Sequence, residues 1–196
     1  MTVLEDRIAM ADSDNTRQLD EMFDRLEKMP VPEGFKVEIV EGAVFMSPQR
    51  DTHWKTILLI IKALLGHFDE DVNVLSDVRI DFPGQLNGYC PDVAKMRDDA
   101  EQDSRGRWRY QDVEFIAEVI SKDTAANDYG PKKTAYALAQ VPVYLVADPY
   151  VGKCRLFTQP KDGDYVSDLS IAYGGEVDMT TTPLGLTLPT AKFRRD

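Results

Sequence analysis

Asp92 and Glu118 are acidic residues set inside segments that otherwise read as apolar β-strands, P-D-V-A-K at 91–95 and E-F-I-A-E-V-I-S at 114–121. A carboxylate carried into a sheet is costly unless it is paired or binds a cation. A lysine-bearing segment, Y-G-P-K-K-T-A-Y at 129–136, follows closely. Two carboxylates with a lysine nearby are the groups that metal-assisted phosphodiester hydrolysis uses. If the two strands are neighbours, both acids can face one side of the sheet and offer oxygen ligands to Mg²⁺ or Mn²⁺. The backbone carbonyl of Val119 can complete the protein ligands, leaving the other positions to water and phosphate. Such a cation lowers the pKa of a bound water and neutralises phosphate charge. A lysine can then orient the attacking water or stabilise the developing negative charge. The same residues admit a plainer reading, with Asp92 forming a turn and Lys132 and Lys133 as solvated helix residues.

The elements that must position these groups follow from hydrophobic spacing and turn residues. Residues 1–13 read as a loose acidic leader. Ser13 to Lys28 reads as an amphipathic helix, with Leu19, Met22, Phe23 and Leu26 at helical spacing. M-P-V-P-E-G at 29–34 ends it, so residues 1–34 form a leader and helix and 35–196 a single domain. A hairpin is expected next, Phe35–Val40 and Ala43–Met46 around a Glu41-Gly42 turn. A dense apolar stripe predicts a helix from Asp51 to Phe68, packed on a sheet. Strands are expected at Val72–Leu75 and Val78–Phe82. Asn87-Gly88 is read as the turn into a Pro91–Met96 strand. Val113–Ile120 is the most strand-like segment and is placed centrally. Asn127 or Asp128 is expected to cap a helix running to Gln140, with Pro131 in its first turn. Val141–Ala147 and a hairpin of Lys153–Thr158 with Tyr165–Ser170 complete the set. This order predicts a mixed β-sheet flanked by helices, α/β in class and bordering on α+β.

Bulk properties narrow the function classes. The chain has 196 residues, enough for one domain with a sizeable core. The longest apolar run, Ile57 to Leu65, is interrupted by Lys62 and falls short of a membrane span. The acidic N-terminus does not read as a secretory signal. Cys90 and Cys154 have neither metal-site nor redox spacing, which suits a reducing cytoplasm. Net charge is −11, which weakens nonspecific attraction to nucleic acid without opposing cleavage that uses a metal and a local basic patch. The segment Asp98–Arg109 supplies one such patch, with Arg105, Arg107 and Arg109 around Trp108. It reads either as a solvated loop or as a DNA-contacting one.

Several short motifs in fixed order resemble the Uma-two type of bacterial restriction endonuclease family, a branch of the PD-(D/E)xK nuclease superfamily. They are V-E-I-V-E-G at 37–42, M-S-P at 46–48, His53 at the next helix start, P-D-V at 91–93, E-V-I-S at 118–121, D-Y-G-P-K-K-T-A-Y at 128–136 and V-P-V-Y-L-V-A-D-P at 141–149. The likeness spans roughly residues 35–190. It implies a restriction-endonuclease-like fold and a Mg²⁺-dependent endonuclease acting on DNA. Carried over residue by residue, Asp92 and Glu118 are the metal carboxylates, and Glu38 reaches the metal through water. Lys132 matches the family's helix lysine, with Tyr136 one turn on.

This chain also departs from the pattern. The superfamily's usual lysine stands two residues after the glutamate, where this chain has Ile120; moving the lysine to the following helix is typical of this branch. Ser121-Lys122-Asp123-Thr124 replaces the usual serine-proline-serine-threonine, which makes Lys122 a further candidate for base or phosphate contact. His53 is otherwise a helix-start residue without a chemical role, Glu41 an exposed turn residue, and Ser121 a strand cap or a hydrogen-bond partner of Glu118. A homodimer would suit cleavage of both strands of a duplex. The competing readings are a non-catalytic nuclease-fold module that binds a partner, and a different metal-dependent hydrolase on a similar sheet.

Overall fold

Asp92 and Glu118 lie at neighbouring strands of one sheet, as expected, while Glu38 comes from a second. The computed structural model describes residues 3–30, 34–48, 51–122 and 124–196, with the side chains of the first helix described from Asp14 onward. In chain order the elements are α1 (Val3–Glu27), β1 (Phe35–Val40), β2 (Ala43–Pro48), α2 (Asp51–Phe68), β3 (Val74–Leu75), β4 (Ile80–Phe82), β5 (Asn87–Tyr89), β6 (Val93–Met96), β7 (Trp108–Arg109) and β8 (Val113–Val119). They continue with α3 (Ala125–Tyr129), α4 (Pro131–Leu138), β9 (Val143–Asp148), β10 (Lys153–Lys161), β11 (Asp164–Ala172), β12 (Glu176–Asp178) and β13 (Thr187–Pro189). One sheet has the order β2-β1-β5-β4-β7 and the other β11-β10-β9-β8-β6-β3, with β12 and β13 as a separate pair. Pairing is antiparallel except for β4 with β7 and β8 with β9, which are parallel.

Three local expectations are corrected. The first helix begins at Val3 rather than Ser13 and takes in most of the supposed loose leader. Asn87-Gly88 is not a turn but strand β5; the reversal lies just before it, where Gly84 and Leu86 take positive φ of 111° and 54°. The helix expected from Asn127 or Asp128 to Gln140 is two, broken at Gly130 with φ −116° and ψ −104°. Pro131 then restarts it at the first helical position, where a missing N–H costs nothing. Asp128 is therefore not a cap. It is buried one turn before Lys132.

Alternation along the strands sorts side chains between two cores. On β8, Phe115, Ala117 and Val119 face α2, whose Ile57, Ile60 and Leu64 are buried against them. Each such side chain contributes about 1.5–3 kcal/mol by leaving water. Ile116 faces the other way, toward Tyr136 of α4 and Tyr89 and Phe82 of the first sheet. Glu118 shares that face. On β1, Val37 and Ile39 pack beneath Leu19, Phe23 and Leu26 of α1, so Lys36 and Glu38 turn inward. Among the described residues no helix is long and apolar enough to cross a membrane.

Candidate active site

Glu38, Asp92, Glu118, Asp128 and Lys132 are all buried, the acids between 1% and 8% exposed and Lys132 at 1%. Burial on this scale is tolerated only with dense pairing. Asp92 lies immediately before β6, and β6 pairs with β8 through Val93 and Ala117, which brings Asp92 beside Glu118. Its Oδ2 accepts from the Val119 N–H at 2.7 Å and from His53 Nε2 at 2.9 Å. Its Oδ1 accepts from Lys36 Nζ at 2.6 Å. Burial alone would raise this carboxyl, but the Lys36 charge and the His53 bond hold it well below the usual carboxylate range.

Glu118 is fixed from its other side. Its Oε1 accepts from Tyr136 Oη at 2.7 Å and lies 2.7 Å from Lys132 Nζ. Its Oε2 accepts a longer bond, 3.3 Å, from the Asp92 N–H and stands 3.6 Å from Lys36 Nζ. Burial pushes this carboxyl up to about 7, although Lys132 and Lys36 pull the other way. Glu38 reaches in from the first sheet. It accepts from the Cys90 N–H at 2.9 Å and from Lys132 Nζ at 3.1 and 3.2 Å. Asp128 completes the surroundings of Lys132 at 3.1 Å. For both lysines, burial pulls the pKa down, yet the neighbouring acids outweigh it and hold the ammonium well above its ordinary value.

The expected set is thus largely gathered, with changes of part. Glu38, Asp92, Glu118, Lys132 and Tyr136 meet. Val119 meets them through its N–H. Lys122 is exposed beyond β8, and among the described residues it has no hydrogen bond to these acids. Lys133 turns away to pair with Asp164 at 2.8 Å. Ser121 does not hold Glu118; its hydroxyl bonds that of Thr124 at 2.6 Å and braces the turn. Glu41 is exposed in the hairpin turn. Cys90 and Cys154 are free and buried, their thiols pushed up to about 12 by burial.

Three participants were missed or set aside. Lys36 lies two residues before Glu38, the strand spacing that puts both on one face, so its inward placement was readable. Asp128 stands four residues before Lys132, the spacing of a helical ion pair. His53 was read as a helix-start residue, and only the approach of α2 to Asp92 reveals its bond.

The donor chemistry can be tested against a hard divalent cation. Among the described residues, no three acid, histidine or cysteine side chains already surround one point as metal ligands. The remaining oxygens of the acid pair, Asp92 Oδ1 and Glu118 Oε2, nevertheless face one positive charge, the Lys36 ammonium. Two carboxylate oxygens turned toward one cation suit a hard metal. The donor set fits.

Residues 20–191 match the Uma2 family, described as "Putative restriction endonuclease", and the chain belongs to that family. No curated protein matches it. Among solved structures it is similar in fold to a protein from Anabaena variabilis ATCC 29413, described as a "putative nuclease belonging to DUF820". The TM-score is 0.68 at 13% identity, over 89% of this chain and 96% of the other. That likeness shows a shared fold, in keeping with the mixed-sheet α/β assignment.

Proposed function

We propose that the chain is a Mg²⁺- or Mn²⁺-dependent endonuclease that hydrolyses DNA phosphodiester bonds at the Asp92–Glu118 pair. One observation carries the reading: after His53, Val119, Tyr136 and Lys132 have engaged the other oxygens, Asp92 Oδ1 and Glu118 Oε2 share a cationic neighbour at 2.6 and 3.6 Å. Asp92 and Glu118 would hold the metal, with the Val119 carbonyl as a backbone ligand and Glu38 acting through water. Such a cation, when bound, lowers the pKa of a water and neutralises phosphate charge.

The chain's own groups prepare that chemistry. His53 and the Val119 N–H fix the rotamer of Asp92, and the Tyr136 hydroxyl fixes that of Glu118. Lys132 keeps its proton because three acids surround it, so it serves as a donor from Nζ rather than as a base. From that position it can orient an attacking water or stabilise negative charge as it develops. A homodimer would place two such centres on the two strands of a duplex. Buried free thiols suit the cytoplasm.

The test is cleavage of plasmid DNA with Mg²⁺ or Mn²⁺ by the wild type, Asp92→Ala and Glu118→Ala. Cleavage by the wild type alone is expected. Equal activity in all three sinks the proposal. A second reading, a nuclease-fold module that binds a partner without cutting, draws support from the Lys36 ammonium already paired with both acids. It predicts no Mn²⁺ binding at Asp92 and Glu118 by calorimetry.

A further inference from the structure

A second group of charges lies where α1 crosses the loop before β7. The Asp20 carboxylate on α1 accepts from three arginines: Arg79 at 2.9 Å, Arg105 at 3.2 Å, and Arg107 at 3.3 and 3.5 Å. One carboxylate held by three guanidiniums has the donor pattern of a phosphodiester, whose two non-bridging oxygens take planar forks in the same way. Arg79 and Arg107 do not depend on Asp20 for their orientation, whereas among the described residues the Arg105 guanidinium bonds Asp20 alone. Asp81 accepts two bonds from Arg79, and Asp103 accepts two from Arg107. Arg105 is the most open of the three, with a side chain 66% exposed. The helix has its own apolar anchor, since Leu19 and Leu26 are buried with Ile39 and Phe23 lies flush on Gly88.

Position adds a second line of support. The cluster opens into a depression of about 150 Å³ that includes Trp108 and Arg109. Arg79 also lines a larger depression of about 510 Å³, whose far side includes Lys36 and Cys90 at the edge of the acid centre. Arg79 thus borders both depressions, the one beside Trp108 and the one beside Lys36. The three arginines are balanced by Asp20, Asp81 and Asp103, so in a chain of net charge −11 it is displacement of Asp20 that leaves positive charge for a polyanion.

We propose that Arg79, Arg105 and Arg107 form a cradle for a backbone phosphate of duplex DNA, and that the Asp20 carboxylate holds the phosphate's place until DNA displaces it. The inference rests on the nuclease reading for the identity of the polyanion. Asp81 and Asp103 hold the Arg79 and Arg107 forks in place, and Asp20 is the exchangeable anion.

The test is binding of a fluorescein-labelled duplex in EDTA, followed by anisotropy across a series of NaCl concentrations, with plasmid cleavage in Mg²⁺ run alongside. Asp20→Asn is expected to bind about three- to tenfold more tightly than wild type. Arg105→Ala is expected to bind several-fold more weakly, with the slope of log K against log salt reduced by about one. Arg155→Ala, a substitution on β10 in a pair with Asp168, controls for a general loss of positive charge. No duplex binding by the wild type, or Asp20→Asn and Arg105→Ala both within about twofold of it, overturns the cradle. If plasmid cleavage persists in that case, the nuclease reading stands without the cradle. If no protein cleaves but binding shifts as described, the cradle stands and the nuclease reading falls.

Discussion

Lys36 Nζ donates to Asp92 Oδ1 at 2.6 Å and lies 3.6 Å from Glu118 Oε2, so an ammonium stands between the two acids proposed to hold a divalent metal. It is buried, and the fields of Asp92, Glu38 and Glu118 keep it charged. A metal held as proposed would compete with the lysine for the same oxygens. Without metal, the ammonium makes two adjacent buried carboxylates tolerable.

Lys36→Met follows directly from that competition. The variant should bind Mn²⁺ more tightly by roughly tenfold or more in calorimetry, since about 1.4 kcal/mol of relieved competition already amounts to a factor of ten. Its metal-free form should melt at a lower temperature, and Mn²⁺ should restore it. Unchanged or weaker Mn²⁺ binding would show that Lys36 does not occupy the metal's place.

Lys132→Met removes the shared partner of Glu38, Glu118 and Asp128. Leaving buried acids unpaired costs about 3–5 kcal/mol, which urea denaturation would register. Lys132→Arg should rescue little, because the ammonium is only 1% exposed and the larger guanidinium has no room. Full stability in either variant would contradict the packing described.

Tyr136→Phe isolates a single hydrogen bond. The ring stays in the aromatic cluster with Phe82, Tyr89 and Tyr144, while the hydroxyl bonded to Glu118 Oε1 is lost. Above about pH 7, where Glu118 is ionised, a bond to a charged group contributes about 1.5–3 kcal/mol, so stability should fall by that order. Metal-dependent cleavage should slow as Glu118 loses its fixed rotamer. A variant matching wild type in both measurements would remove Tyr136 from the positioning role.

The pH dependence of metal-free stability has a defined sign. Burial pushes Glu118 up to about 7, whereas an unfolded glutamate titrates near 4.3. Between those values the folded chain holds a proton that the unfolded chain has released. Stability from this group is therefore fully present below the unfolded value and is lost as pH rises through the folded one. In EDTA, unfolding free energy should decline from about pH 5 to pH 7, and Glu118→Gln should flatten that decline. Asp92 and Glu38 are depressed, so their contribution is present above the unfolded value and disappears only in stronger acid. An unchanged slope in Glu118→Gln would remove Glu118 as its source.

Much of this arrangement could be read from residue order. The Asp51–Phe68 helix follows its apolar stripe, and the β8 strand follows its run of apolar residues. The acids stood out because charge inside a strand is costly. The sheet division was not readable, because pairing of β1 with β5 rather than with the second sheet depends on contacts far apart in sequence. Neither was the break at Gly130, where helical spacing continues on both sides of a non-helical residue. His53 illustrates a third limit. Its type suggests chemistry, but only the seating of α2 against the sheet places Nε2 2.9 Å from Asp92. Lys36 and Asp128 were readable in principle from their spacing to Glu38 and Lys132.

The most direct test is a crystal structure of the protein soaked in Mn²⁺, with the metal located by anomalous scattering. The account predicts one peak contacting both Asp92 Oδ1 and Glu118 Oε2, with Lys36 Nζ moved away from Asp92. No peak between these oxygens at saturating Mn²⁺, with Lys36 still bonded to Asp92, would contradict it.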